Sequence, residues 1–118
     1  MRAPRILLVE DEGLIAVMME DLLEEMGCEV TGSTRAVAEA VSWLEEGGEA
    51  DAALLDVSLR DGWVYPVAEA LTARSIPYVF VSGYGQSPDP RYAAAPLLAK
   101  PVGRERLKAA LQALGLRI

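Results

Sequence analysis

Four short apolar runs in this sequence each end on a polar side chain that is capable of chemistry. One run stops at the carboxylate of Asp56, and the other three stop at Glu10-Asp11, at Ser82 and at Lys100. An uninterrupted apolar run this short is typical of a strand buried on both faces of a parallel sheet. Open α/β sheets bind ligands at the edge where the carboxyl ends of such strands meet. The sequence therefore predicts that these side chains face one another at one edge.

Three carboxylates at one site repel one another unless a cation neutralises them. Mg2+ prefers carboxylate and water ligands, and a phosphate oxygen of the substrate often completes its shell. The carboxylate of Asp56 is suited to bind metal and also to act as a nucleophile, because aspartyl phosphates are a known form of covalent catalysis. Ser82 would donate to one phosphoryl oxygen, and Lys100 would place a positive charge beside another. This is the minimum set for moving a phosphoryl group to a carboxylate.

Each of these signals is weak by itself. The acids Glu10 to Glu12 are also what a helix amino terminus attracts. Asp56 alone could be a polar strand end, and Lys100 before Pro101 could be a solvated turn. Their joint occurrence at four run ends, in the order acid pair, aspartate, serine, lysine, favours a functional site over four unrelated polar residues.

Strands and helices alternate along the rest of the chain. Strands are predicted at 5–9, 28–31, 52–56, 78–82 and 97–99, and apolar residues at helical spacing occupy 15–26, 34–46, 64–71 and 107–114. Three prolines between residues 86 and 96 leave room for one or two helical turns at most. Short connections with right-handed crossovers then predict an α/β fold, doubly wound, with a five-stranded parallel sheet and a short or disordered fourth helix.

Composition excludes several classes of function. The 118 residues are expected to form a single receiver-sized domain, 1–118, with no output domain. A net charge of -7 with no histidine excludes nonspecific binding to nucleic acid or anionic membranes, histidine catalysis and histidine metal sites. The single Cys28 is expected to be a buried hydrophobic residue. The first apolar run, Ile6 to Val9, is too short for a signal peptide or a membrane span, so the chain is expected to be cytoplasmic.

The motifs at the four run ends are similar to those of a known family, the receiver domains of bacterial two-component response regulators. The resemblance covers residues 5–115. It is carried by Leu8-Val9-Glu10-Asp11-Glu12, by Leu54-Leu55-Asp56-Val57-Ser58-Leu59 with Gly62, by Val81-Ser82-Gly83 and by Ala99-Lys100-Pro101.

The resemblance implies that Asp56 is phosphorylated by a histidine kinase or a phosphotransfer protein. It implies Mg2+ held by Asp11, Asp56 and the backbone carbonyl of Ser58, with Glu10 helping through water. Ser82 and Lys100 would contact the phosphoryl group, and the Lys100-Pro101 bond is commonly cis in the family. The family also implies the flavodoxin-like strand order 2-1-3-4-5 and a phosphoacceptor that promotes its own phosphotransfer and autodephosphorylation instead of a conventional enzyme. Its output would be either a downstream protein partner or the removal of phosphate from a shared kinase, as a phosphate sink.

Two finer features bear on the subgroup and on signalling. The stretch from Tyr78 to Gly85, with Val64 to Ala68 upstream, resembles the FATGUY receivers, which are paired with an atypical class of histidine kinases. In contrast, the aromatic residue that the family places three residues before the lysine is Leu97 here. We therefore expect residues 83–96, instead of an aromatic rotamer, to respond to phosphorylation.

Three other interpretations share the same sequence pattern. A flavin- or nucleotide-binding protein of this fold would need a phosphate-binding first turn, whereas the three acids from Glu10 to Glu12 would repel phosphate. An aspartate-nucleophile phosphatase needs a second acid where Ser58 stands. A degenerate receiver that only binds a partner would not need the complete set of site residues. The aromatic residues Trp63, Tyr65 and Tyr84 are interpreted as packing residues.

Overall fold

The computed structural model describes residues 2–83 and 89–118. Seven strands are present in these ranges: β1 Arg5–Val9, β2 Glu29–Thr34, β3 Ala52–Asp56, β4 Ser58–Leu59, β5 Gly62–Trp63, β6 Tyr78–Ser82 and β7 Leu97–Ala99. The α-helices are α1 Gly13–Glu25, α2 Val37–Glu45, α3 Tyr65–Ala73 and α4 Arg104–Ala113, and a single 3-10 turn spans Pro90–Tyr92. None of the described helices is long and apolar enough to cross a membrane.

Five of the strands form one parallel sheet in the order β2-β1-β3-β6-β7. Counted along the chain without the two short strands β4 and β5, this is the predicted order 2-1-3-4-5. The prediction of a doubly wound α/β fold is therefore confirmed, and the predicted short fourth helix is the 3-10 turn. The strands β4 and β5 pair separately as an antiparallel hairpin, where the sequence predicted only a loop.

The second strand is longer than predicted and displaces the start of the second helix. Gly32, Ser33 and Thr34 pair in register with residues 7 to 9 of β1, so β2 runs to Thr34 and α2 begins at Val37 instead of residue 34. Cys28, predicted to open this strand, lies just before it and is buried as expected. Pairing with a central strand outweighs the local sequence preference of such residues.

Alternate residues of the central strands point to opposite faces of the sheet and build two cores. Leu7, Leu55 and Phe80 pack on the face covered by α2 and α3. Leu8 and Leu54 pack on the other face, which α1 and α4 cover. Burial on both faces explains why these strands read as uninterrupted apolar runs.

Helices α1 and α2 are each followed by a glycine in the left-handed conformation. Gly27 after α1 and Gly47 after α2 have φ of 88° and 95°, the left-handed conformation that glycine adopts without steric cost. Pro66 lies in the first turn of α3, the position where a helix tolerates proline.

Asp61, in the turn of the β4–β5 hairpin, caps the amino terminus of α2. Its Oδ1 accepts from the Val37 N–H at 2.9 Å and its Oδ2 from the Ala38 N–H at 3.1 Å. These two bonds hold the pKa of Asp61 below its ordinary value. Asp61, which lies 23 positions after Ala38, thus accepts hydrogen bonds from two amides that have no partner within the helix.

We expect Asp61→Ala to lower the melting temperature by a few degrees at neutral pH, and Asp61→Asn to lower it less because one oxygen remains as an acceptor. Arg60→Ala, in the same exposed hairpin, is the control. Because the folded pKa of Asp61 is lowered, its ionised carboxylate stabilises the folded protein at pH values above the ordinary aspartate pKa. This stabilisation is lost as the pH falls through the folded pKa of Asp61. Circular-dichroism melts that show an unchanged difference between wild type and Asp61→Ala in strong acid would contradict this account.

Candidate functional site

The structure brings the predicted polar residues together at one edge of the sheet. Asp56 is the last residue of β3 and Ser82 the last of β6, while Glu10 and Lys100 directly follow β1 and β7. Asp56, Glu10 and Ser82 are buried, with relative exposures of 6%, 3% and 3%. Buried polar groups need hydrogen-bond or ionic partners, and the contacts described below provide them.

The ammonium of Lys100 lies between two of the carboxylates. Its Nζ is 2.8 Å from Oε1 of Glu10 and 3.0 Å from Oδ2 of Asp56. The backbone N–H of Lys100 donates to the carbonyl of Ser82 at 2.9 Å, and the Lys100–Pro101 peptide bond is cis, as the resemblance implied. The lysine is thus held by its backbone on one side and by two acids on the other.

A third carboxylate completes the cluster. Oxygens of Glu10, Asp11 and Asp56 all lie within 4.8 Å of one another. The other oxygen of Glu10 accepts from the Glu12 N–H at 3.1 Å, and the Ser58 N–H approaches Oδ1 of Asp56 at 3.4 Å. The backbone of Ser58 therefore adjoins the Asp56 carboxylate, and the role of its carbonyl as a metal ligand stays a prediction.

Two of the three carboxylates have pKa values above the ordinary value of aspartate. Burial raises the pKa of Asp56 to about 6, and the charge of Glu10 adds to this while the hydrogen bond from Lys100 opposes it. Burial and the neighbouring Glu10 also raise the pKa of Asp11. Burial alone would lower the pKa of Lys100, but its bonds to Glu10 and Asp56 outweigh that effect and raise it. A hard divalent cation with oxygen ligands fits this donor set.

Ser82 lies at the same edge, on the strand next to β3. Its Oγ donates to the carbonyl of Gly83 at 3.1 Å. The Val57 N–H donates to the carbonyl of Val81 at 3.1 Å, which continues the pairing of the two strands past Asp56. Tyr84 and Gly85, which the sequence analysis grouped with Ser82, lie outside the described residues.

An apolar cavity of about 340 Å³ opens beside the acids. The strand residues Leu8, Val9, Leu54 and Val81 form one wall, and Glu10, Asp56 and Lys100 lie at its polar end. The remaining lining comes from α1 and from the loop after Lys100: Ile15, Met18, Met19, Leu22, Pro101 and Val102. The low polarity of these walls strengthens electrostatic interactions at the polar end.

Sequence reasoning missed Arg35, which borders the site behind Glu10. Its Nη1 donates to Ser33 Oγ at 3.1 Å and approaches the carbonyl of Glu10 at 3.4 Å. Arg35 directly follows β2 and so lies at the same edge, but β2 is mostly polar, so the rule of a polar residue after an apolar run does not find it. The second strand was also predicted to end at residue 31 instead of Thr34.

The comparisons with known proteins agree on one family. A family model for the response regulator receiver domain matches residues 6–112. The phyllosphere-induced regulator PhyR of Methylorubrum extorquens is 35% identical over 107 residues, which cover 84% of this chain and 39% of that protein. The chain thus spans well under half the length of this relative.

Solved structures extend the similarity to almost the whole chain. SdrG from Sphingomonas melonis Fr1 is 46% identical with a TM-score of 0.85, and the match covers 97% of this chain and 98% of that one. The BeF3-activated conformation of SdrG from Pseudomonas melonis Fr1 is 47% identical with a TM-score of 0.79 over the same shares. At such identity and coverage the similarity extends beyond the fold to the sequence itself.

The crowded acids predict that the site lowers the stability of the metal-free protein. In the presence of a chelator, Asp56→Asn should melt several degrees above wild type at neutral pH. The substitution removes the charge of one buried carboxylate, while Lys100 retains its ion pair with Glu10. The folded pKa of Asp56 is raised from 3.8 to about 6. Protonated Asp56 therefore stabilises the folded protein at pH values below the unfolded pKa, and this stabilisation is lost as the pH rises through the folded pKa.

The melting-temperature difference between Asp56→Asn and wild type should therefore widen as the pH rises from about 4 to about 6. Asp21→Asn, which removes an exposed acid from α1, is the matched control. A variant that melts below wild type at neutral pH would show that the acids are balanced without a metal.

Proposed function

The chain belongs to the response regulator receiver domain family, and from that premise we propose that it accepts a phosphoryl group from a phosphohistidine onto Asp56. The observation that carries the proposal is the position of Asp56, buried at a strand end with Lys100 Nζ at 3.0 Å and two further carboxylates within 4.8 Å. This arrangement offers a nucleophile, a fixed positive charge and oxygen donors for a cation at one point.

Asp56, Lys100 and Ser82 each have a different role in the proposed phosphoryl transfer. An oxygen of Asp56 attacks phosphorus, the bond from phosphorus to the donor imidazole nitrogen breaks, and that nitrogen keeps the electron pair and takes up a proton. Lys100 is already beside Asp56 and stabilises charge on one phosphoryl oxygen, and Ser82 donates to another. Hydrolysis then breaks the bond between phosphorus and the Asp56 oxygen by attack of water, which restores the carboxylate and releases inorganic phosphate.

Mg2+ is the cation proposed for the acid cluster. Asp11, Asp56 and the backbone carbonyl of Ser58 would hold it, with Glu10 acting through water. When bound, it neutralises the carboxylates and the phosphoryl oxygens, which otherwise repel one another. The raised pKa values of Asp11 and Asp56 agree with this assignment, because burial and the neighbouring Glu10 disfavour their charged forms and a bound cation would favour them.

The proposed partners are a histidine kinase or phosphotransfer protein as donor and a second protein that reads the phosphorylated state. The protein acts as a phosphoacceptor that catalyses its own phosphorylation and dephosphorylation, not as an enzyme with a separate substrate. The motif from Tyr78 to Gly83 supports placement in the FATGUY subgroup, whose kinases belong to an atypical class.

The flavin- or nucleotide-binding alternative is not favoured. A phosphate-binding first turn would present free amides to the ligand, but the turn after β1 carries Glu10 and Asp11 beside Asp56. The amide of Glu12 is already used by Glu10 Oε2. This edge of the sheet repels anions unless a cation accompanies them.

Incubation with acetyl phosphate and Mg2+ tests the proposal directly. Intact-mass spectrometry should show the addition of one phosphoryl group to wild type and to Asp21→Asn, and none to Asp56→Asn or to wild type with a chelator. The reason is that the carboxylate of Asp56, at the end of β3, is the proposed nucleophile beside Lys100, and the adjoining acids need a cation before phosphate can approach. An undiminished adduct on Asp56→Asn would exclude Asp56 as the acceptor.

A further inference from the structure

Three aromatic rings form a stack that begins at the hairpin of the site and ends at the 3-10 turn. The ring centroids of Trp63 and Tyr65 are 6.4 Å apart with their planes at 23°. Those of Tyr65 and Tyr92 are 4.8 Å apart and nearly parallel, at 8°. Phe80 of β6 meets Tyr65 and Tyr92 edge-on at 6.1 and 5.7 Å, which fixes the stack against the sheet.

One end of the stack adjoins the phosphorylation site. Trp63 pairs with Ser58 across the β4–β5 hairpin, and the Ser58 N–H approaches Oδ1 of Asp56 at 3.4 Å. The Val64 N–H also donates to the carbonyl of Val57 at 3.0 Å. A displacement of the backbone at Ser58 therefore reaches the Trp63 ring through a short antiparallel pair.

The other end of the stack holds the turn before β7 in two ways. The hydroxyl of Tyr65 accepts a hydrogen bond from the Asp89 N–H at 2.6 Å, while its ring stacks on Tyr92. Asp89 in turn caps the 3-10 turn, because its Oδ1 accepts from the Arg91 N–H at 2.9 Å. Tyr65 thus contacts both ends of the segment from Asp89 to Tyr92, by a hydrogen bond at Asp89 and by ring stacking at Tyr92. Asp89 lies 24 residues after Tyr65 in the chain.

We propose that Tyr65 is the positioning residue that transmits the state of Asp56 to the surface formed by residues 89–95. The inference rests on the proposed function, because it takes the phosphoryl group and its cation at Asp56 as the input. When the carbonyl of Ser58 becomes a metal ligand, the hairpin shifts, Trp63 moves with Ser58, and Tyr65 changes the position or the order of the turn that it holds.

The side chain of Leu97 explains why the signal would pass through Tyr65. The family's aromatic switch residue is replaced by an aliphatic side chain that is 42% exposed and therefore not packed beneath the surface. The aromatic contact with the turn comes instead from α3, through Tyr65. The exposed Arg91, whose guanidinium carbon lies 5.6 Å from the centre of the Tyr92 ring, is the charged group on the surface that would move.

The first test measures the hydrogen bond itself by amide hydrogen exchange. Tyr65→Phe removes only the hydroxyl, and it should speed exchange of the Asp89 amide roughly three- to tenfold while the amides of β3 stay protected. Tyr78→Phe is the matched control, because its ring meets Phe80 edge-on at 5.1 Å in the same aromatic group. Within the described ranges, the Tyr78 hydroxyl makes no hydrogen bond, so this variant should exchange like wild type.

The second test measures transmission by backbone NMR, with Mg2+ and beryllofluoride as a mimic of the phosphoryl group. In wild type and Tyr78→Phe, the amides of Val57 and Ser58 and those of residues 89–95 should both shift. In Tyr65→Phe the response at Val57 and Ser58 should persist, while that at residues 89–95 falls by half or more. Trp63→Leu should also lose the distant response, yet keep the slow exchange of Asp89.

The outcomes separate this inference from the function on which it rests. If Val57 and Ser58 respond in wild type but residues 89–95 are silent, or if Tyr65→Phe responds at residues 89–95 as wild type does, Tyr65 does not transmit the signal. If Val57 and Ser58 do not respond in wild type, the proposed function itself fails, and the coupling fails with it.

Discussion

The interaction on which the site depends is the contact of one ammonium with two buried carboxylates. Lys100 joins the residue after β1 to the last residue of β3, and it does so from the loop after β7. Leaving either carboxylate buried without this partner would cost several kcal/mol of desolvation. Burial and the charge of Glu10 still raise the pKa values of Asp11 and Asp56 in spite of this contact. The charged forms of these two carboxylates are therefore disfavoured in the metal-free protein, and a divalent cation would stabilise them.

The order of the strands makes this contact possible. Because β1, β3 and β6 are adjacent and parallel, their last residues are held at one edge by the ladder, and β7 beside β6 brings Lys100 to the same edge. Both faces of these strands are covered by apolar packing, so the edge cannot shift without disturbing two cores. A rigid sheet of this kind positions catalytic groups more precisely than loops alone would.

The sequence predicts the fold and the first contacts of the site because both depend on short-range patterns. Apolar runs of strand length and their terminal residues locate Glu10, Asp56, Ser82 and Lys100 without any knowledge of tertiary contacts. The hairpin of β4 and β5 was not predicted, since its strands have only two residues each, too few to show an alternating pattern. A strand that short is defined by its partner and leaves no periodic signal in the sequence.

Long-range contacts were missed for a related reason. No local pattern in the sequence indicates that Asp61 caps a helix that precedes it in the chain, because the contact joins residues 24 positions apart. Tyr65 was interpreted as a packing residue, which its ring contacts support, but its bond to the Asp89 amide requires knowledge of how α3 lies beside the turn. The expected response of residues 83–96 stays a prediction, and residues 84–88 within it lie outside the described residues.

The account of the site is tested most directly by titrating Mg2+ into wild type, Asp11→Ala and Lys100→Ala and following binding by calorimetry. If the carboxylates hold the cation and the ammonium only offsets their charge, Asp11→Ala should weaken binding by about tenfold or more, as expected for loss of a charged ligand of a hard cation. Lys100→Ala should bind Mg2+ at least as tightly as wild type, because a competing positive charge is removed. Equal loss of affinity in the two variants would contradict the division of roles on which the account rests.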